Sequence, residues 1–121
     1  FTLDRQCLDA VQAARAANGP SGLRHHISHL QLIDTVDIPR FRELGVVANF
    51  QPLWAYADPY ITELTLPFLG EERTGRMYAI GAVHASGAMI AFGSDWSVSS
   101  ANPFEQIEVA VRRVDPAQAE G

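Results

Sequence analysis

Ala88-Met89-Ile90-Ala91-Phe92-Gly93-Ser94-Asp95-Trp96 is the stretch on which the fold turns. Its apolar part, Ala88 to Phe92, has the length of a strand buried on both faces, and it stops at two small residues and a carboxylate. Gly93 and Ser94 allow a backbone or a ligand to come close, and Trp96 offers an aromatic wall beside Asp95. A helix-capping role suits Asp95 poorly. The next helical pattern starts at about Pro103, behind Asn102, which is itself a good N-cap.

Two further apolar segments of strand length lie upstream, Leu23 to Leu30 and Val46 to Phe50, the second ended by Gln51-Pro52. Helical spacing fills the intervals. Leu3, Cys7, Ala10, Val11 and Ala14 recur as one apolar face, closed by Asn18-Gly19-Pro20, and Cys7 on that face reads as core packing. This helix starts with almost nothing before it, so further residues upstream are expected. Asp37 is placed to cap a helix from about Ile38 to Leu44, with Pro39 in its first turn and Gly45 as its stop. Gln51 to about Leu69 reads as a long loop carrying Trp54, Tyr56, Tyr60 and Phe68, a length often associated with function. A helix is predicted over about Glu72 to Ser86, with Met77, Ile80, Val83 and His84 on neighbouring faces and Gly87 as its stop. A last one is predicted over Pro103 to Val114, its apolar stripe being Phe104, Ile107, Val111 and Val114. The polar tail from Asp115 to Gly121 is expected to fray.

Composition narrows the function classes. The 121 residues are 47% hydrophobic and 19% charged, as in an ordinary globular domain or part of one. A net charge of -5, with nine scattered positive residues, provides no footprint for nucleic acid. No apolar run reaches the roughly 18 to 20 residues of a membrane span, and no secretory signal is visible, so no membrane partner and a cytoplasmic location are expected. The single cysteine cannot form an internal disulfide. All nine positive residues are arginine; with no lysine in the chain, a lysine ligand or Schiff base from these residues is excluded.

Strands that alternate with helices and show no hairpin signal predict a parallel sheet with right-handed crossovers. His29 and Asp95 both end predicted strands, the edge where open α/β sheets and barrels alike build their sites. They lie 66 positions apart, two repeats of about 33 residues, close to the repeat of a (β/α)8 barrel. The expected fold is therefore α/β, a partial TIM barrel of three strands with flanking helices. Taken alone, a histidine ending a strand is more often a structural hydrogen-bonding residue, and an aspartate there often a helix cap; the shared address of His29 and Asp95 is what points to chemistry. In Arg24-His25-His26-Ile27-Ser28-His29, strand alternation puts His25 and His29 on one face but about 13 Å apart, too far to share a metal. His29, at the strand end, is the better-placed ligand.

Leu23-Arg24-His25-His26-Ile27-Ser28-His29-Leu30-Gln31, Asp37-Ile38-Pro39-Arg40-Phe41 with Leu44-Gly45-Val46, Phe50-Gln51-Pro52 and Ala91-Phe92-Gly93-Ser94-Asp95-Trp96 together resemble the C-terminal half of the barrel in the amidohydrolase superfamily. The resemblance is nearest to the branch called amidohydrolase family 3, with its YtcJ-like exoenzymes and N-substituted formamide deformylases, and it covers nearly the whole chain, as strands 6 to 8 of the barrel. It implies that His29 is the strand-6 metal ligand, and that Asp95 is both a metal ligand and the catalytic residue that handles the proton of the attacking water. It also implies a divalent metal, zinc above all, and a small-molecule substrate with an amide or formamide-type C-N bond. Trp54 and Trp96 are candidates for the substrate wall, or for ordinary packing.

The chain departs from the family at Ser28, where Glu is usual, and at Ser97, where Pro is usual. The family's His-x-His pair after strand 1, its bridging ligand from strand 4 and its strand-5 histidine have no counterpart here. The isolated chain is therefore expected to hold metal poorly and to be inactive, and its two open sheet edges are expected to favour a homo-oligomer. A noncatalytic α/β binding or assembly module, or a degenerate barrel relative, is the alternative.

Overall fold

Val47–Phe50 (β2) is the central strand of a three-stranded parallel sheet, with His26–Ser28 (β1) on one side and Ile90–Phe92 (β3) on the other. The structure, a computed structural model, describes residues 3–118. The register aligns Ser28, Asn49 and Ala91 in one row. Ala48 and Phe50 point to a fully buried face, and Val47 and Asn49 point to the other, which is only half covered.

Leu3–Asn18 (α1), Ile38–Glu43 (α2) and Ile80–Ala85 (α6) lie before or between the strands. Phe41 from α2, Ile80 and Val83 from α6 and Leu8 from α1 join Leu30, Ile33, Val46 and Phe50 in one buried cluster. Gly19, Gly45 and Gly87 follow these three helices with positive φ, as the sequence leads one to expect of helix stops. Between β2 and α6 run Pro59–Leu64 (α3), Leu66–Leu69 (α4) and Glu71–Thr74 (α5), and Pro103–Arg112 (α7) closes the order after β3.

Several expectations are corrected here. The strand expected over Leu23 to Leu30 is only three residues long, because His29 turns to φ 61 and ends the ladder. The long loop after Gln51 is largely helical: a 3-10 turn covers Pro52–Trp54, and Asp58 caps α3 by accepting the Ile61 N–H at 2.8 Å. The helix expected over Glu72 to Ser86 is broken into α5 and α6. Its middle is drawn into other pairings, with Met77 bridging Leu32 and the Tyr78 N–H donating to the Gln31 carbonyl at 2.8 Å. Part of the tail expected to fray forms a 3-10 turn, Pro116–Gln118; residues 119–121 lie outside the described residues.

Two helices also bury faces other than those expected. Cys7 is exposed, and α1 packs instead through Leu8, with Asp4, Val11 and Arg15 beside it. The stripe Phe104, Ile107 and Val111 of α7 is 77%, 51% and 78% exposed, while Gln106 and Val109 are buried where the helix meets the turn after β2. Periodicity located both helices correctly but not the side from which the neighbours come. The Asn102 cap is present, its Oδ1 accepting the Phe104 N–H at 3.0 Å.

Asp37 does not cap α2. Asp34 caps the 3-10 turn Thr35–Asp37 that precedes it, and the Asp37 carboxylate turns inward, buried, between two guanidinium groups. Arg5 Nε donates to it at 2.8 Å and Arg40 at 3.0 Å; Arg40 also reaches Asp9 at 2.6 Å, so α1 is fastened to α2 by one shared carboxylate. These bonds hold both guanidinium groups above their ordinary pKa, with the hydrogen bond to Asp37 leading for Arg5 and that to Asp9 for Arg40. Removing the carboxylate leaves two cations facing each other without it. Asp37→Ala is expected to lower stability by about 2 kcal/mol, less than for a fully buried pair because both arginines reach solvent. Urea unfolding of the variant beside Asp37→Asn, which keeps the shape and loses the charge, measures it.

Candidate functional site

The C-terminal ends of the three strands meet around the segment that leaves β2. His29 follows β1 by one residue and Asp95 follows β3 by three, so both expected site residues stand on the same rim, and both are exposed. Because β2 separates them, the strands that carry them run about 10 Å apart, two strand spacings. Both have left-handed backbones, φ 61 at His29 and φ 53 at Asp95, a conformation that non-glycine residues adopt at a cost and that the surroundings must impose.

The means of imposing it on His29 is Gln51. This side chain is buried, and its Oε1 accepts the His29 backbone N–H at 2.9 Å. The other end of the same amide lies against β3: a Cβ built on Gly93 would stand 3.4 Å from Gln51 Nε2 and 3.5 Å from Asn49 Oδ1. Gly93 therefore allows the strand-3 end to approach Gln51, and its own N–H donates to the Phe50 carbonyl at 2.9 Å. At Asp95, the carbonyl accepts the Val98 N–H at 2.7 Å and the Ser94 hydroxyl accepts the Trp96 N–H at 3.2 Å, which folds the loop into a tight turn.

Trp54 makes a second link across the rim. Its ring stacks on the His29 imidazole with centroids 5.2 Å apart and planes 12° from parallel, and its Nε1 donates to the Ser99 hydroxyl at 2.8 Å. Of the two tryptophans expected near a substrate, Trp54 thus sits against a candidate ligand, whereas Trp96 projects into solvent, 75% exposed. On the half-covered face, Asn49 Nδ2 donates to the Ser28 hydroxyl at 2.9 Å, and Asn49 Oδ1 is buried without a hydrogen-bond partner among the described residues. That orphaned acceptor shows a polar face whose pairing is incomplete.

Gln51, Asn49 and Ser99 were not singled out by their residue types. A signal existed for two of them: polar residues at alternate positions in Val47-Ala48-Asn49-Phe50-Gln51 are out of place in a strand buried on both faces. Among the described residues no group of three His, Cys, Asp or Glu side chains is gathered for a metal ion, and His29 and Asp95 are no part of such a group.

Tyr78 lies beside this rim, below Gln31. Burial pushes its hydroxyl up to about 12, and the negative charge of Asp58 adds to this, while Arg113 and a hydrogen bond with Gln31 pull the other way.

Comparison with known proteins gives a consistent picture. The model of the Amidohydrolase family matches residues 2–120. Protein LONG AFTER FAR-RED 3 of Arabidopsis thaliana is 34% identical over 110 residues, which is 90% of this chain and 18% of that protein. The crystal structure of an uncharacterized metal-dependent hydrolase from Pyrococcus furiosus superposes with a TM-score of 0.67 at 27% identity, over 93% of this chain and 23% of that one. The chain therefore spans about a fifth of the length of these relatives.

Two outcomes are expected from the geometry. Gln51→Leu removes the acceptor of the His29 N–H, so stability should fall by about 1 to 2 kcal/mol and the near-UV circular dichroism from the stacked Trp54 should weaken, with Gln51→Glu restoring part of that signal. Tyr78 keeps its proton in the folded chain to about pH 12 but loses it near 10 when unfolded. The unfolded state thus binds fewer protons between those values, so the stability present below pH 10 should decline from there to about 12. Replacement by Phe should flatten that part of the curve, as read from denaturation midpoints against pH.

Proposed function

The chain belongs to the amidohydrolase family, and on that premise we propose that it is the strand 6 to 8 segment of a (β/α)8 barrel that hydrolyses a non-peptide C-N bond, of amide or formamide type, in a small molecule. The observation that carries this reading is the shared rim: His29 and Asp95, separated by 66 positions in sequence, follow the ends of two parallel strands of one sheet on the same side, with the His29 backbone held there by Gln51. The similarity to a metal-dependent hydrolase of known structure supports the metal.

His29 and Asp95 are the residues that would hold a divalent cation, zinc in this reading; imidazole nitrogen and carboxylate oxygen are zinc donors, and both side chains are exposed. Such a cation supplies Lewis acidity, polarising the substrate carbonyl and acidifying a water molecule. Asp95 takes the proton from the attacking water and delivers it to the departing nitrogen, first as general base and then as general acid. Its place on an exposed turn beside Gly93 and Ser94 leaves the carboxylate open to a substrate. His29 is kept from rotating by the flat ring of Trp54, which in turn is pinned by Ser99. Gln51 sets the direction in which the His29 side chain leaves the strand.

Asn49 Oδ1 and the half-covered face around it would find partners in the other strands of the barrel. The noncatalytic alternative draws on the fact that the described residues gather no three metal ligands.

One experiment decides between them. The polypeptide extended upstream to barrel length, about 250 residues, should bind close to one zinc or more and hydrolyse members of a panel of simple N-acyl amines, while the 121-residue chain alone should hold metal weakly and show no turnover. In the long form, Asp95→Asn should reduce kcat on the order of 10³-fold, and His29→Ala should lower the metal content measured by atomic absorption. A barrel-length polypeptide that contains no metal and cleaves none of the panel would establish the noncatalytic reading.

A further inference from the structure

We propose that the groove behind Trp54 binds an organic ammonium group, so that the substrate of the hydrolase proposed above is an acylated amine with a second, positively charged nitrogen. The inference deepens that reading and rests on it. The groove has a volume of about 520 Å³, the size of a small-molecule site. Four aromatic residues line it, Trp54, Tyr56, Tyr60 and Tyr78, together with the carboxylate of Asp58. Aromatic faces attract cations through their quadrupoles, and several of them around a carboxylate form an environment in which an ammonium group loses its water at little cost.

The charge that lines the groove is negative. Among the described residues Asp58 is the only charged one lining it, and of its carboxylate oxygens Oδ1 accepts the Ile61 N–H at 2.8 Å. Arg113 does not line the groove but stands at its Tyr78 side: it donates to the Tyr78 carbonyl at 2.8 Å and the Met77 carbonyl at 3.2 Å, and its guanidinium lies over the Tyr78 ring at 5.9 Å, so Trp54, Tyr56 and Tyr60 are the rings left to an incoming cation. Burial, chiefly, holds the Tyr56 and Tyr78 hydroxyls protonated beyond their ordinary range, so they present neutral rings and hydroxyl groups beside Asp58.

The groove is also well placed for the proposed reaction. Trp54, which forms part of its lining, stacks on His29 with centroids 5.2 Å apart, and Gln31, two residues beyond His29, lines it too. A substrate with its carbonyl at the rim would therefore lay a short arm past Trp54 and set its ammonium end near Asp58.

Choline and its uncharged tert-butyl isostere are the probes. Binding to the 121-residue chain is followed through the tryptophan and tyrosine resonances in nuclear magnetic resonance titrations. Choline is expected to bind about tenfold more tightly than the isostere. Asp58→Asn, which retains the α3 cap, should erase that difference, and Tyr60→Ala should weaken choline several-fold. Equal binding of the two probes, or an unchanged preference in Asp58→Asn, overturns the proposal.

The barrel-length polypeptide gives the second reading, as the ratio of kcat/KM for mono-acetylated butane diamine to that for N-butylacetamide. A preference of about tenfold for the charged amide, lost in Asp58→Asn, supports the groove. Cleavage of both amides without preference removes the groove proposal and leaves the hydrolase reading standing. Selective choline binding in a polypeptide that cleaves neither amide does the reverse.

Discussion

The hydrogen bond from the His29 backbone N–H to the buried Gln51 side chain is the constraint on which the arrangement of the rim depends. A carboxamide that is almost fully enclosed must find its partners inside the protein, because leaving one unpaired costs about 1 to 3 kcal/mol. Gln51 meets that demand by fixing a peptide group one residue beyond β1, in a backbone conformation that His29 would not choose by itself. The same side chain limits how close β3 may come, and glycine at position 93 is what accommodates it. One residue just beyond the central strand thus touches the ends of both outer strands.

Trp54 extends this control from backbone to side chain. Gln51, Pro52, Leu53 and Trp54 leave β2 in a 3-10 turn, a geometry that sends the indole back across the rim. There it covers one face of the His29 ring and reaches Ser99 on the far loop. Stacking and a single hydrogen bond are modest individually, about a kcal/mol each. Together they link the loops after β1, β2 and β3, and α7 packs against the turn that carries Trp54. The helices are fastened independently, by Asp37 between Arg5 and Arg40 on the side of the sheet where Ala48 and Phe50 are buried. Gln51 contributes to both stability and rim geometry, whereas Asp37 joins α1 to α2 away from the rim.

Much of this organisation was legible from residue order alone, and the failures have a common cause. The strand before Gly93, the helix stops at Gly19, Gly45 and Gly87, and the Asn102 cap are decided by residues within a few positions of one another. So was the parallel sheet, since a helix between successive strands is the usual crossover of parallel pairing. Asp37 misled because an acid before Ile38-Pro39 has the local form of a cap, while the arginine that claims it, Arg5, stands 32 positions away. The helix expected across Met77 failed for a similar reason: Leu32 and Gln31, from a distant segment, draw off the backbone groups of Met77 and Tyr78.

The amino-acid sequence by itself determined the alternation of helix and strand, the helix stops at Gly19, Gly45 and Gly87, and the fact that His29 and Asp95 lie just past strand ends, because each follows from short-range sterics and hydrophobic periodicity. Only the tertiary structure decided which face of each helix is covered, leaving Cys7 and Phe104 in solvent and burying Leu8 and Val109. It alone decided that Gln51 holds His29, that Trp54 stacks on it and that Asp58 shares a groove with four aromatic rings. These are contacts between groups far apart in the chain, and periodicity along a chain is blind to the direction from which its neighbours arrive.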